Sequence, residues 1–279
     1  MSTKNYAVIG HPIAHSLSPF IHELLFKIDK IDASYVALDI CDLENEYEEK
    51  LSTLCGYNVT IPYKIDIIKK LSKISEKALL CNSVNTVKNG EYSQGFTTDG
   101  YGFCAAVKAK TGGIIPKDVL IYGYGGAARA IAFECLQEGC RVSFAVRQGS
   151  IDNCKALQNE IFEKLSVTVN VYSLNDIPKD KKFSLLVNAT PVGMHPNVED
   201  CVASDEIIKN AKAVFDAVYN PLETLLLKKA KAYEKVAIGS VEMLVYQAAK
   251  AHEIWVDGKY TDEQLLEICE KVKEKLQNR

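Results

Sequence analysis

Short apolar runs alternate along the chain with longer segments in which apolar residues recur every three or four positions. The short runs, rich in valine, isoleucine and tyrosine, predict strands, and the longer segments predict amphipathic helices. Strands are predicted at residues 6–9, 35–39, 58–61, 84–87, 119–122, 141–146, 167–171, 184–187, 213–216 and 237–238. Helices are predicted at residues 18–28, 42–50, 65–71, 100–107, 126–136, 241–254 and 261–276. The predicted fold class is therefore α/β.

The third predicted strand runs into a polar turn, Asn58-Val-Thr-Ile-Pro-Tyr-Lys64. Pro62 ends the strand because it has no N–H to donate, and it suits the first turn of a helix. Asn58, Thr60 and Lys64 are therefore expected at the carboxyl edge of a sheet, where open α/β sheets bind ligands. Lys64 allows two interpretations: a solvated lysine on the outer face of the helix, or a lysine that exchanges a proton near neutral pH.

Two predicted helices begin with residues that suit either capping or ligand binding. Ser18 followed by Pro19 is the expected pair of N-cap and first-turn residue. The hydroxyls of Ser16 and Ser18, at the positive end of that helix, would also hold a carboxylate. Asp99 either caps the helix that starts at Gly100 or takes part in catalysis.

A glycine-rich turn, Gly123-Tyr-Gly-Gly-Ala-Ala128, links a buried strand directly to a helix. In this context the pattern Gly-x-Gly-x-x-Ala predicts dinucleotide binding. Gly123 permits the tight turn, Gly125 lets the backbone approach a pyrophosphate, and Ala128 keeps the helix close to the strand. The alternative is a turn of small residues that binds no ligand.

The residue after the next strand bears on the choice of cofactor. An NAD-binding unit usually presents Asp or Glu there to the ribose 2′-hydroxyl, whereas this chain has Arg147. Arginine favours a 2′-phosphate and hence NADP, and the alternative is a surface arginine. The polar turns at 188–190 and 219–221 are expected at the same edge. Met243 and Gln247 share a helix face that is either core or the lining of a pocket for a ring and its hydroxyls.

Composition narrows the class of protein. The 279 residues are 47% hydrophobic and 25% charged, as in ordinary globular enzymes, and the length favours two domains. A net charge of -3 makes nucleic acid and membrane poor candidates for partners, and no apolar run is long enough to span a bilayer. The nine cysteines include no Cys-x-x-Cys pair, and none of the five histidines lies in a ligand pattern. We therefore expect a cytoplasmic protein that uses no metal.

Eight motifs together resemble the NADP-dependent shikimate dehydrogenase family, in the family's order and over nearly the whole chain. They are His15-Ser-Leu-Ser-Pro19, Asn58-Val-Thr-Ile-Pro-Tyr-Lys64, Val84-Asn-Thr86, Thr98-Asp99, Gly123-Tyr-Gly-Gly-Ala-Ala-Arg129, Asn188-Ala-Thr190, residues 216–221 and Met243-Leu-Val-Tyr-Gln247. Each motif alone is weak evidence, whereas eight in sequence are specific.

The resemblance implies two domains. A substrate domain would be built from both chain ends, residues 1–102 and 238–279, and a Rossmann-like, doubly wound NADP domain would cover residues 103–237, with the site in the cleft. The implied reaction is the reversible, NADPH-linked reduction of 3-dehydroshikimate to shikimate, in the pathway to chorismate and the aromatic amino acids. The sequence leaves the oligomeric state open, a homodimer included.

The resemblance also implies a role for each matched position. Lys64 would be the acid/base catalyst and Asp99 its partner. The small-molecule substrate would bind to Ser16, Ser18, Asn58, Thr60, Asn85, Asp99, Tyr219 and Gln247. The cofactor would bind to Gly123, Tyr124, Gly125, Gly126, Ala127, Arg147, Thr190, Ala217, Ser240 and Met243. The chemistry agrees with these roles, because hydride transfer to a ketone leaves an alkoxide that an ammonium group can protonate.

Four positions depart from the family pattern. Thr97 stands where the family usually has Asn, and we expect its hydroxyl to bond to the backbone instead. Asn82-Ser83 replaces Gly-Ala, and asparagine tolerates the left-handed φ that such a turn needs. Ser240 replaces a glycine that approaches the nicotinamide in the family. The family's Asn-Arg-Thr cofactor motif is reduced to Arg147, so the expectation of NADP depends on that residue.

Two other functions stay open on this evidence. One is a quinate/shikimate dehydrogenase that uses NAD. The other is a catalytically silent homologue that binds a metabolite or nucleotide as a regulator. The retention of both Lys64 and Asp99 argues against the silent homologue.

Overall fold

The computed structural model describes residues 4–178 and 181–278, which fold into two compact units. The first unit comprises the chain up to Gly102 together with Leu244–Lys275, and the second comprises Phe103–Met243 together with the described residues from Leu276 onwards. Residues 238–243 and 276–278, assigned from the sequence to the substrate domain, lie in the second unit; the first of these segments contains the end of the last strand of that unit and the residues that follow it directly. Within the described residues, no helix combines the length and the apolar character needed to cross a bilayer.

The first unit contains a mixed six-stranded sheet. Its strands are β1 (Lys4–Gly10), β2 (Ala33–Asp39), β3 (Gly56–Val59), β4 (Lys73–Ile74), β5 (Thr86–Lys88) and β6 (Gln94–Phe96). Its helices before Asp99 are α1 (Ser18–Asp29), α2 (Leu43–Leu51) and α3 (Glu76–Cys81). The strand order is β2-β1-β3-β5-β6-β4, with β1 parallel to both neighbours and β5 antiparallel to both of its own. The last five residues of β1 are buried, as expected for a strand paired on both sides.

The second unit contains a six-stranded sheet in which all the strands are parallel. Its strands are β7 (Asp118–Tyr122), β8 (Arg141–Val146), β9 (Asn170–Ser173), β10 (Leu185–Asn188), β11 (Ala213–Asp216) and β12 (Val236–Ile238). Its helices are α4 (Asp99–Lys110), which begins in the first unit, α5 (Gly126–Gln137), α6 (Ile151–Leu165), α7 (Asp205–Lys209) and α8 (Leu225–Ala232). The order β9-β8-β7-β10-β11-β12 is that of a doubly wound dinucleotide-binding fold, with its switch point between β7 and β10. The predicted α/β fold with a Rossmann-like unit is thereby confirmed.

Two C-terminal helices, α9 (Val241–Val256) and α10 (Asp262–Gln277), return the chain to the first unit. Trp255 of α9 packs against Tyr6 of β1 with ring centroids 4.9 Å apart, and Tyr6 contacts Phe26 of α1 at 5.0 Å. These rings belong to one hydrophobic cluster. Aromatic packing thus joins α9 to the first strand of the chain.

The helical segment predicted at residues 65–71 is a 3-10 helix in the structure and not an α-helix. A turn is followed there by a short 3-10 helix at Asp66–Lys70. The carbonyl of Lys64 accepts a hydrogen bond from the N–H of Val84 at 2.8 Å. Because this carbonyl bonds to a neighbouring segment, it does not take the bond from four residues later that an α-helix requires.

Candidate active site

The first unit holds a lysine and an aspartate in direct contact at low exposure. Lys64 lies in the turn after β3, and Asp99 is the first residue of α4. Lys64 Nζ donates a hydrogen bond to Asp99 Oδ2 at 2.5 Å, and the two side chains are 13% and 7% exposed. Because water screens such a pair only weakly, the carboxylate holds the ammonium in a defined position. The structure thus brings together the two residues proposed for acid/base chemistry.

A polar cluster surrounds the carboxylate of Asp99. Asn85 Nδ2 donates to Asp99 Oδ1 at 2.8 Å, and Asn85 Oδ1 accepts from the N–H of Thr98 at 2.8 Å. Thr98 Oγ1 donates to Gln247 Oε1 at 3.3 Å, so Thr98 connects two of the predicted substrate-binding residues. All four residues are at most 8% exposed. Thr98 was not among the predicted site residues. The sequence feature that could have indicated it is its position next to Asp99.

The side chain of Asn58 is buried and bonded on both of its polar atoms. Its Nδ2 donates to the carbonyl of Asn85 at 3.1 Å and to Thr86 Oγ1 at 3.0 Å, and its Oδ1 accepts from the Tyr35 hydroxyl at 2.7 Å. Desolvation raises the pKa of Tyr35 well above its ordinary value, against the opposing effect of a hydrogen bond with Ser18, so the hydroxyl stays a neutral donor. Asn58 therefore ties β2 to β5. No pattern in the sequence pointed to Tyr35.

The two serines at the start of α1 interact in a way that differs from the prediction. Leu17 occupies the N-cap position without a side-chain cap, and Ser18 is the first helical residue. Ser16 Oγ accepts a hydrogen bond from the N–H of Ser18 at 3.2 Å. The prediction that Ser18 caps the helix is therefore wrong, because Ser18 is already helical and the N-cap position falls on Leu17, which has no polar side chain. The Ser16 hydroxyl keeps its own proton for donation to a carboxylate.

Thr60 follows β3 directly and is half-buried. Its N–H donates to the carbonyl of Ile9 at 2.9 Å, which continues the pairing of β1 and β3 by one residue. A Cβ built on Gly10 would lie 2.5 Å from Thr60 Cγ2. Glycine at the end of β1 is therefore what allows Thr60 its position at this edge of the sheet.

Three positions that depart from the family pattern have a defined environment. Asn82 adopts a left-handed backbone, φ 48° and ψ 48°, at the end of α3, which confirms that the turn survives the replacement of glycine. Thr97 Oγ1 is buried without a hydrogen-bond partner among the described residues. The prediction that this hydroxyl bonds to the backbone is therefore wrong. The hydroxyl oxygen of threonine is attached one covalent bond closer to the main chain than the amide atoms of asparagine, so it extends less far from the backbone. Ser240 is 2% exposed, and within the described part of the chain its Oγ also lacks a partner.

The glycine-rich turn of the second unit lies between β7 and α5, at the switch point of the sheet. Gly123 has φ +97°, and a Cβ there would lie 2.8 Å from Thr190 Cγ2. Gly125 is exposed, and a Cβ built on it meets no atom within 4 Å. The turn thus offers open space beside the N-terminus of a twelve-residue helix. This geometry fits a pyrophosphate, and Tyr124, Gly126 and Ala127 flank the space.

Bonded polar residues occupy the ends of the two strands beyond this turn. Thr190 Oγ1 donates to Asn188 Oδ1 at 2.7 Å, and Asn188 Nδ2 donates to Asp216 Oδ1 at 2.9 Å. Burial raises the pKa of Asp216 to about 6, and hydrogen bonds, the one from Thr224 first, oppose the rise. The N–H of Ala217 donates to the carbonyl of Asn188 at 2.9 Å. Thr190 and Ala217 therefore lie at the same sheet edge as the glycine turn.

The remaining predicted cofactor residues lie around the same sheet. Arg147 is exposed and follows β8, which pairs with β7, so that Arg147 and the glycine turn end neighbouring strands. Ser240 precedes α9, and Met243 in its first turn is 7% exposed. Tyr219, predicted for the substrate, is half-buried beyond β11.

Similarity to known proteins extends over most of the chain. A sequence profile of the shikimate dehydrogenase substrate binding domain matches residues 8–87. Shikimate dehydrogenase (NADP(+)) of Methanocaldococcus jannaschii is 38% identical over 235 residues, which cover 81% of this chain and 82% of that protein. A shikimate dehydrogenase solved in complex with NADP+ gives a TM-score of 0.87 at 36% identity, covering 97% of this chain and 96% of its own.

A second solved structure extends the likeness to a ternary complex. Shikimate 5-dehydrogenase of Thermus thermophilus, in complex with NADP(H) and shikimate, gives a TM-score of 0.83 at 32% identity, covering 96% of this chain and 99% of its own. Identity at these levels over most of both chains, together with the matching fold, identifies the family. The chain belongs to the shikimate dehydrogenase family.

Proposed function

We propose that this chain catalyses the reversible, NADPH-linked reduction of 3-dehydroshikimate to shikimate, a step toward chorismate and the aromatic amino acids. The observation that carries the proposal is the ion pair of Lys64 and Asp99 at low exposure. The activity that gives the relatives their name, shikimate dehydrogenase (NADP(+)), supports it.

Proton transfer is the part of the reaction assigned to the ion pair. NADPH, when bound, supplies a hydride to the carbonyl carbon of the substrate. The electron pair of the C=O bond moves to the oxygen, which takes a proton from Lys64 Nζ. The ammonium charge stabilises the developing oxyanion until the proton moves. Asp99 positions that ammonium through Oδ2 and is itself held by Asn85 through Oδ1.

The other substrate-binding residues divide by the group they recognise. The hydroxyls of Ser16 and Ser18 bind the substrate carboxylate. Thr60, Asn85 and Gln247 bind the ring hydroxyls with hydroxyl and amide groups. Asn58, whose amide is bonded to three neighbouring groups, acts by holding this edge of the sheet in place. Tyr219 stays a predicted substrate-binding residue.

The second unit binds NADP, and the first carries the substrate-binding residues that precede α4. The open space at Gly125 accepts the pyrophosphate, and the Arg147 guanidinium binds the 2′-phosphate. The further cofactor contacts are Gly123, Tyr124, Gly126, Ala127, Thr190, Ala217, Ser240 and Met243. The enzyme acts in the cytoplasm, the compartment that nine cysteines without a metal or disulfide pattern favour.

An assay of the purified chain with two substrates and two cofactors tests the proposal. Shikimate and quinate are each oxidised with NADP and with NAD, and kcat/KM is measured for the four combinations. The proposal expects shikimate with NADP to give the highest value. Preference for quinate with NAD would assign the chain to the quinate/shikimate dehydrogenases instead. Absence of turnover with all four pairs would identify a silent homologue.

The Gly125→Ala variant is expected to bind NADPH about 10-fold more weakly, because a methyl group forced into a close contact costs about 1–3 kcal/mol. The fold should not suffer, since the new Cβ meets no protein atom within 4 Å and the backbone, φ -70° and ψ -175°, suits alanine. Fluorescence titration with NADPH and thermal unfolding measure the two effects. Gly90→Ala, another position with no atom near the new Cβ, is the control and should change neither.

Arg147→Ala is expected to raise the Kd of NADP roughly 10- to 100-fold, because one charge-assisted hydrogen bond, which contributes about 1.5–3 kcal/mol, is lost. The Kd of NAD, which has no 2′-phosphate, should stay the same. Arg141→Ala removes the same charge from the opposite end of β8, where the arginine bonds to Asp118, and serves as the matched control. Equal weakening of both cofactors in Arg147→Ala would contradict a 2′-phosphate contact.

A further inference from the structure

Three side chains of the first unit bring nitrogen, oxygen and sulfur donors together outside the proposed catalytic cluster. His11 follows β1, Asp39 ends β2, and Cys41 lies two residues further on. Their donor atoms all lie within 4.8 Å of one another. The cluster arises because β1 and β2 are parallel, with Gly10 opposite Asp39, so that the segments after both strands leave the sheet at the same edge.

We propose that His11, Asp39 and Cys41 form a binding site for a divalent cation of the zinc type. Zinc–nitrogen bonds of about 2.0–2.1 Å and a zinc–sulfur bond of about 2.3 Å, at a tetrahedral angle, place the two donor atoms about 3.6 Å apart. His11 Nδ1 and Cys41 Sγ are 3.6 Å apart. These two atoms therefore have the separation that one shared metal ion requires.

Asp39 supplies the third donor. Its Oδ1 lies 2.7 Å from His11 Nδ1, the distance of a hydrogen bond. Two ligands of one tetrahedral zinc ion lie about 3.3 Å apart, so the atoms must separate by roughly half an ångström when the metal replaces the shared proton. Both side chains can move that far, because His11 is 47% and Asp39 51% exposed.

The charges around the cluster favour a cation. Glu46 Oε1 accepts the N–H of Cys41 at 2.9 Å. The carboxylate of Glu46 is also paired with Lys50, so the carboxylates of Asp39, Asp42 and Glu46 leave this turn negatively charged. The negative charge at this edge of the sheet attracts a divalent ion.

The donor set selects the class of ion. Thiolate and imidazole ligands suit Zn²⁺ and Co²⁺, whereas Mg²⁺ and Ca²⁺ require oxygen ligands. Binding releases the proton of the Cys41 thiol to solvent, and it displaces the proton shared by His11 Nδ1 and Asp39 either to solvent or, by tautomerisation of the ring, to Nε2. Three protein ligands leave the fourth position to water. The site is independent of the proposed reduction, to which none of its three residues contributes.

Cobalt titration of the full-length, reduced and chelator-free protein tests the site. Co²⁺ bound to a thiolate produces a charge-transfer absorption in the near ultraviolet, which assigns a sulfur ligand directly. We expect this absorption to saturate at one Co²⁺ per chain, to disappear when Zn²⁺ is added, and to persist in excess Mg²⁺. No absorption with Co²⁺ in molar excess would overturn the proposal.

Single-residue variants assign the ligands. Cys41→Ser should abolish the near-ultraviolet absorption. His11→Ala and Asp39→Asn should each weaken cobalt binding by at least about 10-fold, since loss of even an outer-shell partner costs roughly 10–100-fold. Cys55→Ser, which removes a half-buried thiol of the same unit, is the matched control and should leave the absorption unchanged. An unchanged spectrum in Cys41→Ser, or unchanged affinity in both other variants, would refute the site.

Discussion

Replacing Lys64 with methionine is expected to lower kcat for shikimate oxidation by roughly 10²- to 10⁴-fold, because that is the rate enhancement that a positioned acid/base group typically contributes. Methionine keeps most of the side-chain volume but can neither donate nor accept the proton. The affinity for shikimate should change little, because other residues are assigned to its carboxylate and ring hydroxyls. Steady-state kinetics and a Kd from equilibrium titration separate the two effects.

The Lys64→Arg variant distinguishes proton transfer from charge alone. A guanidinium keeps the positive charge and can bond to Asp99, but it does not release a proton near neutral pH. We therefore expect kcat to fall nearly as far as in Lys64→Met. Turnover close to that of the unaltered enzyme would mean that charge suffices and would refute the acid/base role. Lys69→Met is the control, because that lysine side chain is 78% exposed and should leave kcat unchanged.

Local sequence predicted five of the six strands of the parallel sheet to within one residue at either end, whereas β9, predicted at residues 167–171, lies at Asn170–Ser173. The bounds predicted for β8 and β11, residues 141–146 and 213–216, are those observed. Both strands are buried almost throughout, so a continuous apolar run marks each of them. The glycine turn was predicted for the same reason, because it follows the apolar run of β7 without a break.

The first unit was harder to predict because long-range hydrogen bonds decide its local structure. The bond from Val84 to the Lys64 carbonyl prevents an α-helix at residues 65–71, and no local pattern around Lys64 reports it. The contact of Lys64 with Asp99 spans 35 positions and was expected only from the family resemblance. The meeting of His11 with Asp39 and Cys41 depends on the register of β1 and β2, which spacing along the chain does not reveal.

Gly56→Ala is expected to destabilise the first unit by about 2–5 kcal/mol, because the added methyl group overpacks the core and a buried hydrogen bond is lost. A Cβ on Gly56 would lie 2.5 Å from Trp255 Nε1 and 2.8 Å from the carbonyl oxygen of Val87. Trp255 Nε1 donates to that same carbonyl at 2.8 Å, so the indole cannot keep both its place and its bond. The backbone cannot relax easily, because Gly56 begins β3 and is paired with Tyr6 and Lys88 on either side.

The measurement uses the one tryptophan of the chain as a local probe. Urea unfolding followed by Trp255 fluorescence should show a lower midpoint in Gly56→Ala and, before unfolding, an emission shifted toward that of an exposed indole. Gly90→Ala should change stability by no more than about 0.5 kcal/mol, since its Cβ meets nothing within 4 Å. Adding Trp255→Phe to Gly56→Ala removes the clashing nitrogen, so the double variant should lose less than the two single losses combined. Because the variants with Trp255→Phe contain no tryptophan, the unfolding of all four proteins in this comparison is followed by circular dichroism. Full additivity would show that the strain lies elsewhere than between Gly56 and Trp255.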